Sequence, residues 1–160
     1  MNNVSRQQEK IYFGLDISQK TIEIFALKGE KGVSFGKIPN TPKGLTEFFD
    51  KVSVPPETIT IALETGTHSA WISRQLEERG YEVIVAHARD LAFIYKGDKK
   101  SDRIDAEKLA RVARADKQLL HPVKLMDVKR QEDLLTIKAR DLLVKEKTCI
   151  INAIRGFLRS

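Results

Sequence analysis

Four carboxylates stand where a folded sheet could bring them to one edge. Asp16 lies near the end of an apolar run, and Glu64 ends a second apolar run just before Thr-Gly. Asp102 and Asp105 are three residues apart, so in the first turn of a helix they project to the same side. If the strands that carry Asp16 and Glu64 are neighbours, a helix laid across their rim completes a group of four acids.

Such a group suits hard divalent cations. Like charges held close together disfavour mutual ionisation, and Mg²⁺ takes oxygen ligands while keeping several waters. Two ions about 3.5–4 Å apart stabilise the attacking and leaving oxygens of an in-line phosphoryl transfer. We therefore predict two Mg²⁺ ions, with Mn²⁺ as a substitute and Asp16 as the bridging ligand. The predicted catalytic residues and metal ligands are the same four: Asp16, Glu64, Asp102 and Asp105.

Each acid also has a plainer interpretation. Taken alone, Asp102 and Asp105 are better explained as a helix N-cap and a first-turn acid that complements the helix dipole. Asp16 fits a turn residue that closes a hairpin. Glu64 is harder to explain without a function, because it ends an apolar strand at a rim. In this order of elements, the four together favour a site over coincidence.

The elements around these acids alternate between strands and helices. Three strands with short connections should form an antiparallel meander, and a later strand, helix and strand form a βαβ unit with parallel neighbours. The predicted strands are Ile11–Ile17, Thr21–Lys28, Val33–Ile38, Thr58–Leu63 and Tyr81–Ala86, with helices from Pro42 to Val52, over Ser69–Arg79 and from Asp102. The fold class is therefore α/β, a mixed sheet with flanking helices.

A long helix follows from about Asp127, in which apolar residues recur every seven positions at Ile137, Val144, Ile151 and Leu158. This pattern predicts a coiled coil or a helix that binds a partner helix. The predicted organisation is a disordered tail over residues 1–10, the α/β domain over 11–120 and a helical dimerisation or linker segment over 121–160.

Composition narrows the class of partner. The 28 Lys and Arg residues exceed the 22 Asp and Glu residues by six, which fits either an anionic partner or an inert basic surface. The single cysteine, Cys149, excludes an internal disulfide, and no Cys/His spacing is that of a zinc site. No apolar stretch approaches the roughly 18 residues of a membrane span, and the polar N-terminus lacks a signal-peptide core. We expect a cytoplasmic protein with no membrane contact.

Basic residues lie around the second acidic pair and are predicted to bind nucleic acid. Their charge would draw a phosphate backbone toward otherwise repulsive carboxylates. Considered alone, the lysine run is more typical of a solvated loop. The predicted contacts are Lys96, Lys99, Lys100, Arg103, Arg111 and Arg114.

Three segments resemble a known family: FGLDISQKTIEIFAL, IALETGTHSAWISRQLEERGYEV and KSDRIDAEKLARVA. They are similar to the N-terminal domain of the Piv-like DEDD transposases of the IS110 insertion-sequence family, and residues 134–158 resemble the helical segment that follows it. The resemblance implies a RuvC-like, RNase H-type fold with a magnesium-binding tetrad at Asp16, Glu64, Asp102 and Asp105. It also implies DNA recombination guided by a structured non-coding bridge RNA, and a homodimer or higher oligomer formed partly through the helix. Family members have a C-terminal domain with a serine nucleophile, so we expect a chain truncated before that domain.

The predicted function is therefore DNA transposition by metal-dependent phosphoryl transfer. Two alternatives stay open: a non-catalytic fragment that binds RNA or DNA and dimerises, and a stand-alone junction-resolving nuclease. Sugar kinases and actin-like ATPases share the order of elements, but their phosphate-binding turn usually has a glycine soon after the aspartate, which lets the backbone approach the phosphate. Residues 17–20, Ile-Ser-Gln-Lys, contain none.

Overall fold

The computed structural model describes residues 9–87 and 102–159. Within these residues the strands are β1 (Ile11–Ile17), β2 (Thr21–Lys28), β3 (Lys31–Pro39), β4 (Ile59–Glu64) and β5 (Glu82–Ala86). The helices are α1 (Pro42–Phe49), α2 (Ser69–Glu78), α3 (Asp102–Ala115) and α4 (Val128–Phe157), and two short 3-10 helices cover Pro56–Thr58 and Lys117–Leu120.

The strands form one mixed sheet in the order β3-β2-β1-β4-β5. The first three strands are antiparallel neighbours, whereas β4 runs parallel to both β1 and β5. This order and these directions are those of the RNase H-like fold, so the predicted α/β class, the meander and the parallel βαβ unit are confirmed. The prediction placed Thr58 in β4, but Thr58 ends a 3-10 helix, where its hydroxyl donates to the Pro55 carbonyl at 2.7 Å.

One face of the sheet packs under α1 and α2. Its strand residues, such as Leu15, Ile24 and Leu63, are fully buried, as are Leu45 of α1 and Ile72 of α2. Aromatic rings strengthen this core: the ring centroids of Phe13 in β1 and Phe49 in α1 are 5.7 Å apart. The burial of these side chains supplies the main driving force for folding.

The opposite face carries α3, which lies directly on β1. A Cβ atom on Gly14 would stand 1.9 Å from the Ala106 carbonyl oxygen and 2.8 Å from the Ala110 nitrogen. Only a glycine therefore lets the helix backbone approach the strand this closely. The small residues Ala106, Ala110 and Ala113 form the buried stripe of α3, together with Leu109. This contact fixes where the first turn of α3, with its two aspartates, must lie.

A β-bulge interrupts the pairing of β2 with β3. Ile24 pairs with Gly36 but Phe25 pairs with Ser34, so Phe35 is the extra residue. Gly36 has a φ of +76°, in the region that favours glycine. An extra residue exchanges the two faces for every side chain beyond it. Lys37 therefore lies on the α3 face, whereas uninterrupted alternation would put it on the face of Val33.

The chain divides between Lys124 and Leu125 into two compact units. The second consists mainly of α4, a helix of 30 residues whose N-cap, Asp127, accepts a hydrogen bond from the Arg130 nitrogen at 2.8 Å. Its apolar side chains are exposed, including Leu135, Leu142 and Val144. Across residues 9–87 and 102–159, no helix combines the length and apolar character needed to cross a membrane.

Candidate active site

A row of charged side chains crosses the sheet at the carboxyl ends of β1 and β4. Leu15 pairs with Leu63 in these parallel strands, so Asp16 and Glu64, one residue further on, lie side by side. On the other side, Asp16 pairs with Glu23 of β2, and Glu23 pairs with Lys37 of β3. Directly opposite residues on neighbouring strands share a face. We call this set the charged row: Glu64, Asp16, Glu23 and Lys37.

Two turns border the row and line one cleft of about 490 Å³. After Glu64, the Thr65-Gly66 turn is closed by Ser69 at the start of α2, whose hydroxyl donates to the Gly66 carbonyl at 2.8 Å. The cleft is lined by Asp16, Ile17, Ser18, Gln19, Glu64, Thr65, Gly66, Thr67 and His68. Both predicted strand-end acids therefore face the same open space.

Hydrogen bonds of Ser18, Thr21 and Asn40 close the β1–β2 turn. The Ser18 nitrogen and hydroxyl both donate to the Thr21 carbonyl, at 2.9 and 2.8 Å. Asn40, just after β3, donates from its side chain to the Ser18 carbonyl at 2.7 Å. Asp16 stands next to this turn, within the β1–β2 ladder and opposite Glu23.

Helix α3 brings the second pair of acids to the same face. Asp102 is its first described residue, and Asp105 precedes Ala106, whose carbonyl abuts Gly14. The Asp102 carboxylate accepts a hydrogen bond from the Lys37 ammonium at 2.5 Å. Asp102 is therefore joined to the β3 end of the charged row, while Asp105 is half-buried one turn further along the helix.

The acids near Lys37 shift the pKa of its ammonium group. The hydrogen bond to Asp102 and the charge of Asp102 raise the pKa of Lys37 above its ordinary value, and they outweigh the opposing effect of burial. The charges of Glu23 and Asp16 raise this pKa further. One ammonium group thus interacts with acids from three separate elements, which places Asp102, Glu23 and Asp16 in one electrostatic neighbourhood.

Sequence reasoning missed Glu23 and Lys37. Glu23 is only 7% exposed, in a strand buried on both faces, and the Ser34 hydroxyl donates to its carboxylate at 3.4 Å. A carboxylate among buried apolar neighbours in the segment TIEIFALK was the available signal, since an acid in a strand with two apolar faces needs a partner. Lys37 gave no such signal, because the bulge decides which face it occupies.

The predicted nucleic-acid contacts are placed differently from one another. Lys96, Lys99 and Lys100 lie outside the described residues. Arg103 is exposed beside Asp102. Arg111 pairs with Glu107 within α3, at 2.6 Å, and Arg114 pairs with Glu30 at 3.0 Å. Arg103 is therefore the described residue of this set that adjoins one of the four acids in sequence.

The donor chemistry of these acids fits a hard divalent ion, since Mg²⁺ takes carboxylate oxygens and needs neither histidine nor cysteine. Asp16 and Glu64 meet this requirement as neighbours at one cleft. Over residues 9–87 and 102–159, however, no three acidic, histidine or cysteine side chains converge on a single point as metal ligands do. The four predicted acids thus share a face and a sheet end without forming a closed ligand shell.

The sheet order is that of an RNase H-like fold, and Asp16 and Glu64 lie at the carboxyl edge of its parallel strands. The sequence matches the model of the IS110 DEDD family, described as "Transposase", over residues 13–160. The chain therefore belongs to this transposase family, and the resemblance noted from its motifs is confirmed.

Two individual proteins are similar to this chain. A protein of Sinorhizobium fredii that carries a transposase name, y4pF/y4sB, is 29% identical over 151 residues. The match covers 94% of this chain and 37% of that protein, so the chain spans little more than a third of its relative. The solved structure of T. thermophilus RuvC in complex with a Holliday junction substrate aligns over 68% of this chain and 97% of that one, with 10% identity and a TM-score of 0.43.

Proposed function

We propose that this chain supplies the metal-binding carboxylate site of a DNA transposase. One observation carries the proposal: Asp16 and Glu64 lie side by side at one edge of the sheet, and the first turn of the helix packed on that face holds Asp102 and Asp105. These four residues would hold two Mg²⁺ ions, which when bound supply Lewis-acid stabilisation of the oxygens in phosphoryl transfer. Membership of the transposase family supports DNA as the substrate.

The protein's own part in this chemistry is to hold the acids in place. Gly14 lets α3 pack closely on β1, and the turns after Asp16 and Glu64 are fixed by hydrogen bonds that the Ser18 and Ser69 hydroxyls donate. Holding the acids on one face shortens the distance that they must move when the ions and the substrate bind, which lowers the cost of binding. Exposed Arg103 beside the acids would attract the phosphate backbone of DNA.

The proposal extends to two partners. The heptad spacing and exposed apolar side chains of α4 support an oligomer formed through residues 121–160, with 11–120 as the catalytic domain. The resemblance in the sequence motifs supports guidance by a structured bridge RNA. A second candidate function is nucleic-acid binding without cleavage, which is favoured by the ion pair that already engages Asp102.

The deciding experiment is an Mn²⁺ titration by calorimetry and thermal unfolding on the parent, Asp16→Asn and Asp102→Asn. We expect saturable binding and a raised Tm in the parent, with binding weakened at least about tenfold in each variant. Asp141→Asn on α4 removes the same charge from an exposed site paired with Arg140, and should bind as the parent does.

The same proteins should then be tested for nicking of branched DNA, with and without structured RNA. Cleavage by the parent that both site variants lose supports the catalytic function. Metal binding without cleavage under any condition would favour the non-catalytic candidate. Equal Mn²⁺ affinity in the parent and both variants would refute the assignment of these carboxylates.

A further inference from the structure

The charged row contains one cation, Lys37, and the fold places it there by an unusual route. The bulge at Phe35 and the left-handed backbone of Gly36 turn Lys37 toward α3. Without this extra residue, the lysine would lie on the other face of the sheet, away from Asp102. A backbone irregularity next to a charged site commonly re-aims a side chain toward it.

The contact that results engages a proposed metal ligand directly. The Lys37 ammonium donates to Asp102 at 2.5 Å, and the two side chains are 51% and 50% exposed. Glu23, opposite Lys37 in the ladder, is buried and adds its negative charge on the same face. A half-exposed lysine on a flexible stem can leave such a contact at low cost, because water solvates its ammonium well.

We propose that Lys37 is a positioning residue that holds Asp102 in the metal-free protein and gives it up when a divalent ion binds. This inference rests on the proposed function. The ammonium partly neutralises the acid-rich row before metal arrives, which lessens repulsion among the carboxylates. It also competes with the metal for Asp102, so the two cations exclude one another at that oxygen.

The alternative role is purely structural: an ion pair that ties β3 to α3 and is indifferent to metal. The two roles differ in what happens when the lysine is removed. If Lys37 is a competitor, its removal takes one cation away from Asp102 and leaves the row more negative, so metal affinity rises. A structural tie that is removed loosens α3, so metal affinity stays the same or falls.

The test uses Mn²⁺ as the probe, with calorimetry on Lys37→Met, Lys37→Gln and Lys37→Arg in the full 160-residue chain. We expect both neutral variants to bind Mn²⁺ about fivefold more tightly than the parent, the size expected for a partly exposed ion pair. Lys37→Arg keeps the charge and the carboxylate contact, so its affinity should stay within about twofold of the parent's.

Two controls isolate the contact with Asp102. Lys43→Met removes the same charge from a lysine of α1 that is 86% exposed and pairs with Glu47, and it should leave Mn²⁺ affinity unchanged. In an Asp102→Asn background the gain from Lys37→Met should disappear, because coupling between two groups shows as non-additivity. Thermal unfolding of each variant verifies that it is folded, and Lys37→Gln serves if Lys37→Met is not.

The outcomes separate this inference from the proposed function. If the parent binds Mn²⁺ and the neutral variants bind it equally or more weakly, Lys37 does not compete and the inference is overturned while the metal site stands. If only the neutral variants bind, the competition is stronger than expected and the inference is supported. If none of the proteins binds Mn²⁺, with or without branched DNA, both the metal site and the role of Lys37 are overturned.

Discussion

The two ends of the sheet face under α3 carry different arrangements of charge among the described residues. At the carboxyl end of β1, the charged row and Asp102 together hold four carboxylates and one ammonium group. At the amino end, one carboxylate, Glu82, meets two lysines and a hydroxyl. Lys10 lies 3.7 Å from Glu82, Lys117 forms a short ion pair with it, and Thr60 donates to it at 2.7 Å.

The difference between the two ends separates a structural ion cluster, around Glu82, from a candidate metal site, at the acidic end. Burial raises the pKa of Glu82, but hydrogen bonds from Lys117 and Thr60 and the charges of Lys117 and Lys10 outweigh it and bring that pKa below 4.5. The folded state therefore prefers the ionised carboxyl and gains stability from it. At the acid-rich end, Asp16 and Glu23 stand directly opposite one another in the ladder, and like charges in that position repel. A fold that retains two acids in this position is expected to use them for binding a cation.

Helix α3 is the element common to both ends, and Gly14→Val is the strongest way to disturb it. A Cβ atom there would clash with the backbone of Ala106 and Ala110, so the helix must move off the sheet. We expect a loss of about 3 kcal/mol or more in the free energy of unfolding, measured by urea denaturation.

Gly66→Ala is the matched control, because a Cβ at Gly66 meets open space. It should change the unfolding free energy by no more than about 0.5 kcal/mol. If Gly14→Val proves as stable as the parent, α3 is not held by its contact with β1, and the placement of Asp102 and Asp105 needs another explanation.

The sheet and its two strand-end acids could be predicted because their signals are local. Apolar runs at Ile11–Ile17 and near Ile59–Glu64 identify the strands, and short connections and a βαβ unit fix their directions. Adjacent parallel strands then bring Asp16 and Glu64 to one edge. The first-turn spacing of Asp102 and Asp105 was visible for the same reason.

Glu23 and Lys37 could not be placed in the same way. The period-two pattern of β3 predicts that Lys37 shares a face with Val33 and Phe35, and one extra residue reverses that assignment. A one-residue bulge depends on how two strands twist and pair, which the alternation of a single strand does not record. The ion pair between Lys37 and Asp102 joins residues 65 positions apart, so no local sequence pattern predicts it.

The Glu82→Gln variant tests the ion cluster around Glu82 at the amino end of β1. Glutamine keeps an oxygen for the buried Thr60 hydroxyl but loses the charge that Lys117 and Lys10 face. The Glu82 side chain is 44% exposed and so is screened by solvent. We expect a loss of about 1 kcal/mol in the free energy of unfolding at pH 7.

The pH dependence of the unfolding free energy distinguishes the charge of Glu82 from its packing. Because the folded-state pKa lies below the ordinary value of 4.5, the stability that Glu82 contributes is present above pH 4.5 and is lost as the pH falls through the folded value. Urea midpoints of the parent and Glu82→Gln should therefore converge in acid. A gap that stays constant down to pH 2.5 would show that packing, rather than charge, makes the difference.

The acid-rich end should respond in the opposite direction. Asp16 has Glu23 on one side and Glu64 on the other, so Asp16→Asn relieves two repulsions while keeping the shape of the side chain. It gives up the attraction between Asp16 and the Lys37 ammonium, which is the smallest of those that raise the pKa of Lys37. In metal-free buffer of low ionic strength we expect a gain of about 0.5 kcal/mol in the free energy of unfolding, which should shrink in 0.5 M salt as the charges are screened.

Asp141→Asn on α4, where the aspartate pairs with Arg140, should show no such gain. A loss of stability in metal-free Asp16→Asn would mean that both ends of the sheet are structural ion clusters, and the contrast between them would fail. A gain that reverses when Mn²⁺ is added would show that the acidic end trades stability in the metal-free protein for the ability to bind metal.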